Sequence, residues 1–182
     1  MTLVVTGFEP FGGRTINRSW QAVERLPLRA DWQRVRLPVE YARIAEHVRA
    51  LVGRGPRAVL LIGEADRRTV TLERVARNAA NPALADNAGE QRDIVHHAGP
   101  AELAATWDLE RALAAARTVL PAEISEDAGG YCCNAALYHA LHASIPTVRV
   151  GFVHVPRSRW PFGPRLSRLS RALEAIATTM LA

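Results

Sequence analysis

RAVLLIG, residues 57–63, sets five apolar side chains in a row, Ala58 to Ile62, and then stops at a glycine. A run that short and that uniformly apolar suits a central β-strand covered on both faces, because a strand with one wet face would alternate apolar with polar residues. Upstream, EYARIAEHVRALVGR (residues 40–54) has helical spacing of its apolar positions and ends at a glycine. Before it, WQRVRLPV (32–39) reads as a strand ending near Pro38, SWQAVERL (19–26) as a helix that Asn17 can cap, and LVVTG (3–7) as a first buried strand. Downstream, TVTLERVARN (69–78) alternates Val70, Leu72 and Val75 imperfectly against polar residues, which predicts an exposed or edge strand. The Asn-, Asp-, Gly- and Pro-rich residues 78–93 are a loop. LERALAAARTVL is then helical, AEIS a short strand, CCNAALYHALHA a helix, TVRVGFVHV a strand and LSRLSRALEAIATTML a closing helix. Strands separated by helices predict an α/β sheet with helices on both faces.

No repeat, linker or low-complexity tract divides the 182 residues, and 48% hydrophobic content is enough to bury a core, so a single domain over 1–182 is expected. The two cysteines are adjacent, which disfavours a bridge between them and is too few for a disulfide framework; a reduced, cytoplasmic setting follows as the expectation. No cluster with zinc-ligand spacing is evident, so no zinc site is expected. MTLVVTGFEPFGG lacks a basic leading segment and breaks early at a turn, unlike a signal peptide or a membrane anchor. The formal charge of +5 raises nucleic-acid binding, but every basic residue is arginine and the arginines are dispersed without interleaved aromatics, so no nucleic-acid partner is expected. The sequence leaves assembly as a homo-oligomer open.

In such sheets, chemistry gathers at the carboxyl ends of strands. That singles out TGFEPFGG (6–13), GEADRR (63–68), DAGGY (127–131) and HVPRSRWPFG (154–163) as segments able to converge on one pocket. The third leads into the cysteine helix. Gly129 and Gly130 permit a tight turn with positive φ, and the helix start offers unpaired N–H groups that would lower a thiol's pKa and stabilise an oxyanion. The plainer reading, which position alone favours, is a pair of small buried apolar side chains, as cysteines commonly are. His154 interrupts an apolar strand near its end, and Glu73 stands among alternating apolar residues. A cysteine, a histidine and a carboxylate so arranged could serve as nucleophile, base and orienting group. Each also has a plainer reading, His154 as a satisfied core histidine and Glu73 as a strand-face acid paired with Arg74 or Arg77.

VVTGFEPFGG, TVTLERVARN, DAGGYCCNAALYHALH and GFVHVP, in that order, resemble the pyroglutamyl peptidase I family over nearly the whole chain. The resemblance implies a three-layer α/β/α sandwich with a twisted, mixed, mostly parallel sheet. It also implies a cytosolic cysteine peptidase without cofactor, removing N-terminal 5-oxoproline from small peptides. Matched motif by motif, it implies Cys133 as nucleophile with Cys132 in a packing position, Glu73 and His154 as its triad partners, and Phe8 and Phe11 as walls of the ring pocket. The chain departs from the family's pattern in having Glu64 where many members have glutamine, and Ala83 and Leu84 where many have an arginine nearby. Arg67, Arg68 or Arg77 could supply that charge. These departures keep a related cysteine amidohydrolase and a catalytically silent binding protein open as alternatives.

Overall fold

A computed structural model describes residues 3–157 and 163–182. Its elements follow the chain as β1 (Leu3–Phe8), α1 (Arg18–Glu24), β2 (Trp32–Leu37), α2 (Tyr41–Gly53), β3 (Ala58–Ala65), β4 (Val70–Glu73), β5 (Val75–Arg77), β6 (Glu102–Ala104), α3 (Leu109–Arg117), β7 (Ala122–Ser125), α4 (Cys132–Ala143), β8 (Arg149–Pro156) and α5 (Leu166–Thr179). Asn17 caps α1 as expected, its side chain accepting the Ser19 N–H at 3.0 Å.

The main sheet has the order β2-β1-β3-β8-β4-β7. β2, β1, β3 and β8 are mutually parallel, β4 is antiparallel to β8, and β7 is parallel to β4. The apolar run of β3 therefore lies centrally. Period-2 alternation divides its side chains between two cores. Leu60 and Ile62, with Val153 and Val155 of β8, face α1, α3 and α5. Val59 and Leu61, with Val150 and Phe152, face α2 and α4. The result is the mixed, mostly parallel sheet between two helical layers.

The first half of TVTLERVARN is not an edge strand, whereas its second half is, in a separate two-stranded sheet. Arg74 breaks the stretch in two, and β4 lies inside the sheet between β8 and β7 with Val70 through Glu73 all buried. The polar alternation that suggested exposure comes from Thr71 and Glu73, which point into the protein and bond there. β5 leaves the main sheet and pairs antiparallel with β6, a three-residue strand that carries no sequence signal. Among the described residues no helix is long and apolar enough to cross a membrane.

One core polar group makes stability depend on pH. His139 of α4 is buried, its Nε2 has no hydrogen-bond partner, and its pKa is depressed to about 4 by burial first, then by Arg49, His96, Arg92 and His142. An unfolded histidine titrates near about 6.5, so the unfolded chain binds more protons between those two values. The penalty is absent above the higher value, grows as pH falls through the interval, and is constant below the lower one. It amounts to roughly 3 kcal/mol. Denaturant melts at pH 7 and 4.5 are expected to show this loss in the native protein and a smaller one in His139→Gln; equal losses would contradict it.

Candidate active site

His154, on β8, has the same strand parity as Phe152 and so faces α4 near the carboxyl end of the strand. In the register of the neighbouring strands it stands beside Gly63 of β3 and Thr71 of β4. Glu73 lies one pleat deeper, opposite Phe152. That diagonal places the Glu73 carboxylate under the imidazole, with His154 Nδ1 2.8 Å from Glu73 Oε1. The Thr71 hydroxyl donates to the same oxygen at 2.7 Å. Both side chains are essentially inaccessible. Burial works against the Glu73 charge, yet the His154 bond and charge, with the Ser125 and Thr71 hydroxyls, outweigh it and hold the carboxyl below its ordinary range. An ionised Glu73 can only accept, so Nδ1 carries a proton, and in the neutral imidazole the lone pair belongs to Nε2. Neither Arg74 nor Arg77 neutralises this carboxylate: Arg74 pairs with Glu126, and Arg77 with Glu102 and Asp127.

α4 brings the thiol. Gly129 takes φ +81°, as a turn into the helix requires, but Gly130 does not adopt positive φ. Gly130 is small for packing, since a Cβ there would lie 3.2 Å from Asn81, whose N–H donates to the Gly130 carbonyl at 2.8 Å. Tyr131 is the N-cap and makes no side-chain capping bond, so the first-turn N–H groups of α4 are left for other partners. Successive helical residues point about 100° apart. Cys132 accordingly turns into the core beside α2, and Cys133 into a cavity.

Gly63 is where the parts meet. A Cβ there would lie 2.8 Å from the Cys133 sulfur, 2.9 Å from His154 Cδ2 and 2.7 Å from the Phe152 ring. Only a hydrogen at this position lets the sulfur and the imidazole edge share one space. Gly63→Ala is therefore expected to displace Cys133 or His154 and reduce any thiol-dependent turnover by about a hundredfold or more. Wild-type turnover of a folded Gly63→Ala protein would contradict that packing.

The sequence expectation of a thiol acidified by its helix is corrected. Burial pushes the Cys133 pKa up to about 12, the Glu73 and Glu64 carboxylates add to the rise, and only a hydrogen bond from the Glu64 backbone opposes it. That direction favours the neutral thiol over the thiolate.

The cavity, about 540 Å³, is lined from all four segments picked out in the sequence: Phe11 and Gly12, Glu64 to Arg67, Ala128 to Tyr131, and His154 with Arg157. Residues 158–162 of the fourth segment lie outside the described residues. Ala83, Leu84 and Ala85 close the remaining side, and the Tyr131 hydroxyl donates to the Ala85 carbonyl at 3.0 Å. The two phenylalanines are divided. Phe11 lines the cavity and packs its ring 5.7 Å from that of Tyr131. Phe8 is absent from the lining; it is buried, 6.4 Å from Phe152, whose ring is 4.7 Å from His154. Of the three arginines considered near this loop, only Arg67 reaches the cavity, where it donates to the Asp127 carbonyl at 2.6 Å.

Two supports escaped the sequence. Asp86 is buried in the long loop and accepts N–H bonds from Tyr41, at the start of α2, and from Ala88 and Glu90. Asn134 bonds the backbone of Arg77 and Ala79, tying α4 to the chain beyond Glu73. The cue for Asn134 was an amide on the inner face of an apolar helix. Among the described residues no group of three or more His, Cys, Asp or Glu side chains is placed to hold a metal ion.

A thiol at a helix start thus lies beside an imidazole that is itself braced by a buried carboxylate, on an α/β/α scaffold. A family model described as pyroglutamyl peptidase matches residues 1–159. The pyrrolidone-carboxylate peptidase of Thermococcus kodakarensis is 41% identical, with 87% of this chain covering 82% of that protein. The one from Clavibacter michiganensis is 37% identical, over 100% of this chain and 93% of its own. Among solved structures, pyrrolidone carboxyl peptidase from Thermus thermophilus superposes with a TM-score of 0.90 at 33% identity, covering 99% of this chain and all of that one. Pyroglutamyl peptidase I from Bacillus amyloliquefaciens gives 0.90 at 28% identity, over 99% and 96%. The chain belongs to the pyroglutamyl peptidase family.

Proposed function

We propose that the protein hydrolyses the amide bond after an N-terminal pyroglutamyl residue through a Cys133–His154–Glu73 triad and a thioester. The observation that carries this reading is the braced imidazole, with Nδ1 bonded to buried Glu73 and the opposite ring edge beside the Cys133 sulfur across Gly63. As the sulfur attacks the pyroglutamyl carbonyl, His154 Nε2 takes the thiol proton, so no separated thiolate has to survive in a site that raises its pKa. The carbonyl electrons move to oxygen, and first-turn N–H groups of α4 are the donors available to that oxyanion. Collapse expels the amine, which takes the proton from the His154 imidazolium. Water then attacks the thioester with His154 as base, releasing pyroglutamate and returning the proton to Cys133. Glu73 holds the tautomer throughout and stabilises the imidazolium.

In this reading the Phe11 and Tyr131 rings face the flat lactam, while Phe8 supports the site from behind through Phe152. The substrates are small peptides, not nucleic acids, and one catalytic domain over 1–182 acts in the cytoplasm. The test compares pyroglutamyl and prolyl arylamides. The lactam nitrogen is neutral and the prolyl nitrogen cationic, and placing that charge among apolar rings costs roughly 3 kcal/mol or more, about a hundredfold in kcat/KM. Comparable rates on the two would move the assignment to a cysteine amidohydrolase of other acyl specificity, the alternative that the unusual Glu64 and Ala83 keep in view.

A further inference from the structure

The Phe11 wall stands on a segment with little to hold it. Between β1 and α1 the chain runs through residues 9–17, with Phe11 followed by Gly12 and Gly13 in the left-handed region at φ +61° and +71°. A Cβ on either glycine would meet nothing within 4 Å, so these glycines serve the turn's backbone and pack against nothing. The base of the segment is tied by Glu9 N–H to the Leu37 carbonyl, Asn17 to the Glu9 carbonyl and Asn87 to the Pro10 carbonyl. Beyond Pro10, the tip has, among the described residues, the Phe11 ring contacts, a turn bond from the Arg14 N–H to the Phe11 carbonyl at 3.3 Å and one charged tether: the Arg14 guanidinium, which forks onto both oxygens of Glu64.

Glu64 is an unusual anchor. Its side chain is wholly buried at the end of β3, directly after the glycine that makes room for Cys133 and His154. It also accepts the Arg18 N–H, at the start of α1, at 2.7 Å, and lies 3.5 Å from Arg157 Nε. Arg157 in turn sits over the Phe11 ring, 5.9 Å from its centroid. A buried ion pair contributes little net stability, but its bidentate geometry selects one conformation over others.

We propose that Arg14 is a positioning residue: its ion pair with Glu64 latches the glycine-hinged tip against β3 and so fixes the Phe11 ring as a wall of the substrate cavity. Arg14 does not line the cavity itself and acts through Phe11. The inference rests on the proposed peptidase reading and adds to it a residue governing substrate affinity but not the chemical step.

The test is steady-state kinetics on a pyroglutamyl arylamide with wild type, R14Q, R14K, E64Q and R14Q/E64Q. R14Q is expected to raise KM about tenfold with kcat within about threefold. R14K, which restores charge without the fork, falls between R14Q and wild type. The double variant is no worse in KM than the worse single one, because both remove the same contact. Should R14Q not fold, R14Q/E64Q lacks the stranded buried charge and supplies the KM reading alone. An unchanged KM in R14Q or in the foldable double, a loss confined to kcat, or multiplying effects in the cycle would overturn the latch. A wild type that does not hydrolyse the arylamide would overturn the peptidase reading and the latch together; an active wild type with an indistinguishable R14Q would overturn the latch alone.

Discussion

Cys133→Ala is expected to remove hydrolysis of a pyroglutamyl arylamide down to background, a loss of roughly 10⁵-fold or more for a nucleophile that acts as one unit with its base. The fold should survive, since Cys133 is only half-buried and a smaller side chain leaves no unsatisfied group. Cys132→Val, one residue earlier, is expected to keep activity within about fivefold, as an apolar replacement of similar size in the core. The adjacent thiols thereby test the account internally. Cys132 packs among residues of α2 and α4, and burial first, then Cys133 and Asp86, drive its thiol far above the ordinary range. The reverse pattern of losses, measured on proteins with matching melts, would mean that the roles of the two cysteines are exchanged.

His154→Ala is expected to cost nearly as much as Cys133→Ala, because a neutral thiol without a base has no route to lose its proton. Glu73→Gln is expected to cost less, about 10²- to 10⁴-fold in kcat. The amide keeps the shape but can donate to Nδ1, which would turn the ring nitrogens' roles around and leave the protonated nitrogen facing Cys133. Activity near wild type in Glu73→Gln would make Glu73 structural. Two other acids near the site are already engaged, Glu64 with Arg14 and Asp127 with Arg77 and the Gly129 N–H.

Much of the architecture was legible because each element's periodicity agrees with its burial. The five apolar residues of β3 could be read as central since both faces are covered, and α4 begins at Cys132, where the glycine turn ends. TVTLERVARN misled for a physical reason: Thr71 and Glu73 are polar side chains on an inward face, bonded to each other and to His154. A local pattern cannot distinguish such a satisfied interior face from a wet one. The four converging segments were visible from the strand-end rule. The division between Phe8 and Phe11 was not, because it depends on where β1 stops: Phe8 is its last residue and follows the sheet's alternation into the core, while Phe11 lies beyond it on the turn. The acidity of Cys133 also could not be read locally. The helix start was in the sequence, but the burial and the two carboxylates that oppose it come from β3 and β4.

The most direct measurement is to mix enzyme with a pyroglutamyl arylamide in excess, quench with acid during turnover, and locate any acyl group by mass spectrometry of the digested protein. The account predicts a mass gain of one pyroglutamyl group on Cys133, present while substrate lasts, lost as the thioester hydrolyses, and missing in Cys133→Ala. An acyl group found on Cys132 or on another residue, or sustained turnover by Cys133→Ala, would contradict it.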